Sequence, residues 1–364
     1  MCAPGTEAIA AHEAKRALPD ATVTLTDGGV DLVGPSSLVM RANLLLRLPA
    51  RVLLRFGDIS ARDFGKLEQG LEKLPWSTVL PHGSALSIRA AAQRCRLFHT
   101  GAIAERLANA TNMAIGATVS AKTDDATLPL QVLIRGQKDE FTVSIDTSGA
   151  LLHRRGWRLE GGEAPLRETL AAALLALAEH APDEPLCDPM CGSGTLVIEA
   201  ALAAIGRAPG IARSFAFERF VSFDAARWTA LCEAARASES PRALALVAAD
   251  ADEAQLEVAR RNAARAGVAE LIDFRCVSLG QLKPPAERGL VVTNPPYGKR
   301  IGAHGGAPLR ELYNELGRAL KGAFARWRAA VVVEDQRMLA PLGLSARGAH
   351  VLPNGGLRVW VGRR

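Results

Sequence analysis

Two short stretches carry residue types that could do chemistry. The first runs Leu186-Cys187-Asp188-Pro189-Met190-Cys191-Gly192-Ser193-Gly194-Thr195: an apolar run, an acid, a glycine turn and the start of an amphipathic helix. Gly192 and Gly194 can take positive φ and leave room for a ligand to approach the backbone, a pattern suited to a nucleotide cofactor. The second is Asn294-Pro295-Pro296-Tyr297-Gly298, which follows the apolar run Gly289 to Thr293. Paired prolines fit neither a helix interior nor a central strand, so they hold a stiff loop just past a strand end.

Elements that could position these loops follow in order. Pro165 to Ala178 reads as a helix beginning at a proline, and Thr195 to Ile205 as the helix after the glycine turn. Ala243 to Ala248 is a buried strand ending near Asp250 and Asp252; a helix over 254–266 stops at Gly267, and Leu271 to Val277 is the third strand. A helix over 308–324, a strand over 329–334 and a hairpin over 350–361 around Asn354-Gly355-Gly356 close the pattern. Strand–helix alternation of this kind predicts an α/β, Rossmann-like doubly wound sheet with a terminal antiparallel hairpin. Ligands of such sheets bind outside the carboxyl ends of the strands, so both loops are expected to face one pocket.

The N-terminal half follows a different rhythm. Gly5 to Leu18 is helical in period, Ala21 to Thr26 and Val30 to Val33 form a hairpin through Asp27-Gly28-Gly29, a helix covers 36–46 and a strand 51–56. Residues 1–55 thus predict an α+β segment of ferredoxin-like pattern. From 56 to 150 come a helix (61–74), Pro75-Trp76, a strand (85–90), a helix (97–110) and a hairpin (128–135 and 140–146). Leu151 to Pro165, rich in Gly, Arg and turn residues, marks the boundary before a domain over 166–364. Arg89, Arg94, Arg96, Lys122, Arg135 and Lys138 lie on or beside these elements, with Arg154 and Arg155 just after. They are candidate phosphate contacts, the alternative being a solvated face. Phe215, Phe217, Phe220 and Phe223 fit stacked bases or, with more weight, a hydrophobic clip.

Composition narrows the class. The net charge of +6 suits an anionic partner. Six scattered cysteines without C-x-x-C spacing, and histidines without metal-ligand spacing, point to neither a disulfide framework nor a metal site. No apolar run approaches the ~20 residues that span a bilayer, and no signal-peptide pattern opens the chain, so a cytoplasmic location is expected.

In that order, Asp-Pro-Met-Cys-Gly-Ser-Gly-Thr and Asn-Pro-Pro-Tyr resemble the cofactor and target-amine loops of class I S-adenosylmethionine (SAM) methyltransferases acting on exocyclic amino groups. Residues 56–150 resemble a THUMP domain, the RNA-carrying module of several tRNA and rRNA modifying enzymes. Leu152-His-Arg-Arg-Gly156 followed by Ala164-Pro-Leu-Arg-Glu-Thr-Leu-Ala171 is similar to the lead-in of bacterial large-subunit rRNA guanine-N2 methyltransferases. These resemblances imply SAM as cofactor, held by Asp188, Pro189, Met190, Gly192, Gly194, Thr195, Asp250 and Asn294. Asp250 is assigned to the ribose hydroxyls and Asp252 to a helix N-cap, with the reverse assignment open. Ser278, also counted with the cofactor residues, stands where family members place an Asp for the adenine amino group; it would supply one weaker hydrogen bond, or backbone groups would take over. Asn294, Pro295, Pro296 and Tyr297 would orient the target base. The implied substrate is a guanine N2 in 23S rRNA or a large-subunit precursor; tRNA, duplex DNA adenine and a binding-only role are the alternatives.

Overall fold

Strand–helix alternation beyond residue 165 builds a seven-stranded sheet, and the N-terminal half folds as two smaller bodies against it. The computed structural model describes residues 1–120, 128–159, 166–240, 242–296, 306–354 and 357–364. Lys122 and Tyr297 lie outside the described residues.

The N-terminal unit holds α1 (Glu7–Ala17), the hairpin β1 (Thr22–Thr26) and β2 (Gly29–Val33), and α2 (Leu38–Leu45). Leu18, Leu38, Ala42 and Leu46 form its core. The strand expected at 51–56 exists as β3 (Leu53–Ser60), but it pairs with β7 (Glu140–Asp146) of the middle unit, from Leu53 opposite Asp146 to Ser60 opposite Glu140. A partner of matching length outcompetes the short hairpin, whose β1 is largely exposed.

Around that strand the middle unit arranges α3 (Phe64–Glu72), β4 (Ala85–Gln93), α4 (Thr100–Ile115), β5 (Thr118–Val119) and β6 (Leu130–Gln137), in the sheet order β3-β7-β6-β4-β5. Period-2 alternation divides the faces. Leu130, Val132 and Ile134 of β6 are buried in one core with Leu67 and Leu71 of α3 and Ile103 and Leu107 of α4, whereas Arg135 and Gln137 face solvent.

The third unit contains α5 (Glu168–Leu177), β8 (Leu186–Asp188), α6 (Thr195–Ala204), α7 (Ala225–Ala237), β9 (Leu246–Asp250), α8 (Glu253–Arg265), β10 (Ile272–Cys276), β11 (Leu290–Thr293), α9 (Gly306–Lys321), β12 (Arg328–Val333), α10 (Leu339–Leu342), β13 (His350–Asn354) and β14 (Leu357–Arg363). Its strand order is β10-β9-β8-β11-β12-β14-β13, parallel except for the terminal hairpin. Buried strands such as Leu246–Ala249 read as continuous apolar runs because helices cover both faces.

Two contacts lock the units together. Phe215, Phe217 and Phe220, in the insertion between α6 and α7, are buried in the middle unit's core, and the Phe217 N–H donates to Thr147 O at 3.0 Å. The aromatic cluster is therefore the hydrophobic clip. The second contact is electrostatic: Glu199, on α6 and 1% exposed, meets Arg155 at 3.4 Å and Arg47 of the N-terminal unit at 3.4 Å. Arg155 also donates to Arg47 O at 2.6 Å, and Arg47 to Leu202 O at 3.1 Å. Breaking a buried ion pair by removing one partner costs about 3–5 kcal/mol, so Glu199→Gln should lower urea-unfolding stability by that order.

Candidate active site

Strand pairing fixes the relation between the two loops. β8 and β11 are parallel neighbours, Leu186 opposite Leu290 and Cys187 opposite Val291, so both loops leave the same edge of the sheet. Asp188 to Thr195 and Asn294 to Pro296 are thereby brought together. Pro189 and Pro295 are buried, and Met190 is half-buried with its N–H on Asp188 Oδ1 at 3.2 Å.

Neighbouring elements shape the glycine turn. Cys191 N–H donates to Ala249 O at 2.9 Å, and Gly192 N–H to Asp250 Oδ2 at 2.9 Å. Gly194, at φ +81°, caps α6, and a Cβ there would stand 3.0 Å from the Ala259 Cβ of α8, so both backbone and packing require glycine. Gly192, at φ +52°, differs: no described atom lies within 4 Å of where its Cβ would be. That open space is where a ligand could approach the backbone. Thr195, buried at the helix start, accepts from Arg158 at 3.2 Å, and Arg158 pairs with Glu168 of α5 at 2.8 Å. The two cysteines of the turn are buried, and burial pushes both thiols up, keeping them protonated.

Two polar groups of this edge lack something a ligand could supply, Asp188 a cation and Asn294 a hydrogen-bond donor. Asp188 is 2% exposed at the end of the central strand. Burial, with the charge of Asp250 adding to it, pushes its carboxyl up to about 7 against the hydroxyl of Thr293 and the Met190 N–H, and no cation pairs with it among the described residues. Asn294 Oδ1 is buried and accepts no hydrogen bond from the described residues. One edge of the sheet thus offers a carboxylate short of a cation, an amide oxygen short of a donor, and open space over a glycine.

The other expected residues divide. Asp252 is the N-cap of α8, accepting from Ala254 N–H at 2.9 Å, while Asp250 braces the turn, its Oδ1 also accepting from Asp252 N–H at 3.0 Å. Ser278 is exposed beyond β10 and donates to Gln281 Oε1 at 3.1 Å. Arg94, Arg96 and Lys138 are exposed and gather at one end of the middle sheet; Arg89 and Arg135 share its open face, one diagonal step apart across β4 and β6. Arg154 is exposed in the lead-in segment. Arg155 does not belong with them: it is 3% exposed and spent on Glu199, Leu152 O and Arg47 O, so it cannot reach a phosphate. Arg158 and Glu168 escaped notice in the sequence, although Glu168 lies within the lead-in wording.

A central parallel sheet of this order with a terminal hairpin, and paired loops at its carboxyl edge, define a class I methyltransferase. Residues 155–355 match the family model described as "RMKL-like, methyltransferase domain", and residues 1–53 match "RlmL ferredoxin-like domain". The chain belongs to this RMKL-like methyltransferase family. A Synechocystis sp. protein provisionally named an RNA methyltransferase is 32% identical over 98% of this chain and 93% of its own length. The ribosomal RNA large subunit methyltransferase K/L of Psychromonas ingrahamii is 34% identical over 90% of this chain, which spans 45% of that longer protein. Among solved structures, SMU.472, provisionally a methyltransferase and complexed with S-adenosylhomocysteine, has a TM-score of 0.86 at 29% identity, covering 100% of this chain and 96% of its own. A Listeria monocytogenes protein described as a predicted N6-adenine-specific DNA methylase has a TM-score of 0.87 at 31% identity, covering 99% and 94%.

The raised pKa of Asp188 has a definite sign. Unfolded, the carboxyl titrates at its ordinary value; folded, it keeps its proton to about 7. The native state therefore binds more protons across that window, and stability falls as pH rises from about 4 to about 7. Asp188→Asn removes this contribution, so the stability of the variant relative to the parent should improve between pH 5 and pH 8 in paired thermal melts.

Proposed function

We propose that the chain is a cytoplasmic SAM-dependent RNA methyltransferase that modifies the exocyclic N2 of a guanine, in 23S rRNA or its precursor, with tRNA guanine as the nearest variant. Asn294 carries the amino-group part of the reading, a buried amide oxygen with no described donor at the strand edge; that loop serves adenine N6 and guanine N2 alike, and the THUMP-like unit with the lead-in wording favours guanine N2 in RNA.

The site fits the cofactor. SAM carries two cationic centres and an adenosine; Asp188 is a buried carboxyl without a described cation, and the space beside Gly192 is open. When bound, SAM supplies a methyl carbon on a sulfonium leaving group. The protein's part is to hold and polarise the amine. An exocyclic amine delocalises its lone pair into the ring, so attack requires rehybridisation and build-up of positive charge on nitrogen. Asn294 Oδ1 and the Pro295 carbonyl would accept the two N–H hydrogens, favouring that charge where it develops. Tyr297, by the resemblance, would stack on the base and hold it out of its helix. Asp250 would bind the ribose hydroxyls while bracing Gly192, and Ser278 remains the proposed adenine contact. The THUMP-like middle unit would carry the RNA.

The Listeria relative's description favours a second reading, methylation of adenine N6 in DNA. Single-turnover assays with large-subunit rRNA and with duplex DNA separate the two. At saturating SAM, Asn294→Ala should lose about 10²–10³ in rate on RNA, the usual effect of removing a preorganised polar group that stabilises developing charge. Turnover on DNA alone would decide for adenine.

A further inference from the structure

The middle unit gathers positive charge at one end of its sheet. β3, β4 and the turn between β6 and β7 all finish there: Gln93 lies opposite Gln137, and Gln137 and Ser60 both lie opposite Glu140. Arg62 follows β3, Arg94 and Arg96 follow β4, and Lys138 sits in the turn; all four are exposed. Asp139 ties two of these segments together. Its Oδ1 accepts from the Arg96 N–H at 2.7 Å and its Oδ2 pairs with Arg62 at 3.2 Å, while its own N–H reaches Cys95 Sγ at 3.3 Å. Counting Asp63 and Glu140 as well, four cations face three carboxylates at this end, and the two basic residues of the open sheet face, Arg89 and Arg135, lie beyond them.

An aromatic pair stands in the same loop. Leu97 is buried and anchors the segment in the core, which turns the next residue outward: Phe98 is 64% exposed. Its ring lies 4.3 Å from that of His99, tilted by 35°. A large apolar ring held in water by a pinned loop, with guanidinium groups two and four residues before it, has no role in the fold of the described chain. Phosphate-seeking cations beside an open aromatic face are the two components of single-strand recognition, in which a base stacks while its backbone is neutralised.

We infer that the segment Arg94 to His99 is a landing site for an unpaired stretch of RNA, with one base stacked on Phe98 and the flanking phosphates held by Arg94, Arg96, Arg62 and Lys138. This site presupposes that the substrate is RNA. It locates the point at which the middle unit grips a single-stranded segment while the target guanine is presented at the distant sheet edge.

The test is fluorescence anisotropy with a labelled single-stranded RNA of about twelve nucleotides, within the range such sites cover, and with the same RNA annealed to its complement. Cofactor binding by calorimetry runs in parallel. Phe98→Ala should weaken single-strand binding about tenfold, the scale of one lost base–aromatic stack, and Phe98→Trp should restore it. Joint replacement of Arg94 and Arg96 by Ala should flatten the log–log salt dependence by about 1.4, at about 0.7 per phosphate. None of these variants should alter cofactor affinity. Unchanged single-strand affinity in Phe98→Ala, with the wild type binding RNA, overturns the landing site and leaves the RNA methyltransferase reading standing. A wild-type protein that binds cofactor but no RNA in either form overturns both.

Discussion

The junction beside the cofactor loop depends on the buried carboxylate of Glu199. It sits inside the helix that begins at the glycine turn, almost wholly buried, and a charge so placed is tolerable only when cations and hydrogen bonds surround it. Those cations come from elsewhere: Arg155 from the segment joining the middle unit to the methyltransferase sheet, and Arg47 from the N-terminal unit. Three bodies are therefore pinned to the element that shapes the cofactor loop. The phenylalanine clip joins the methyltransferase unit to the middle unit through apolar area and the directional Phe217 N–H bond to Thr147 O.

At the sheet edge the carboxylates divide their labour by environment. Asp250, only half-buried, spends its oxygens on the backbone of the glycine turn and of its own helix cap, giving the loop its shape before any ligand arrives. Asp188 is buried without a described cation, and burial pushes its carboxyl up to about 7. Arg158 bridges Glu168 to Thr195, so the helix before the sheet and the helix after the glycine turn share one charge-assisted contact. Asn294 leaves its buried amide oxygen without a partner among the described residues.

How much of this the sequence disclosed depends on whether a feature is local. The glycine turn, the Asn-Pro-Pro loop and the strand–helix alternation are written in consecutive residues, and each stands where its pattern places it, within a few residues. The Asp252 cap is equally local. Features made by distant pairing were not legible. β3 looks like the end of the first unit until β7 offers it a full-length partner, and Arg155 looks like its exposed neighbour Arg154 until Glu199, forty-four residues on, draws it inward. Phe98 reads as one more apolar residue near a helix start; only the burial of Leu97 turns it to solvent.

The most direct test of the account is the identity of the methylated nucleoside. Total RNA from cells lacking this gene, incubated with the protein and isotopically labelled SAM and then digested for mass spectrometry, should yield labelled N2-methylguanosine from the large ribosomal RNA. Label appearing only in N6-methyladenine of DNA, or in no nucleic acid despite cofactor binding, would contradict it.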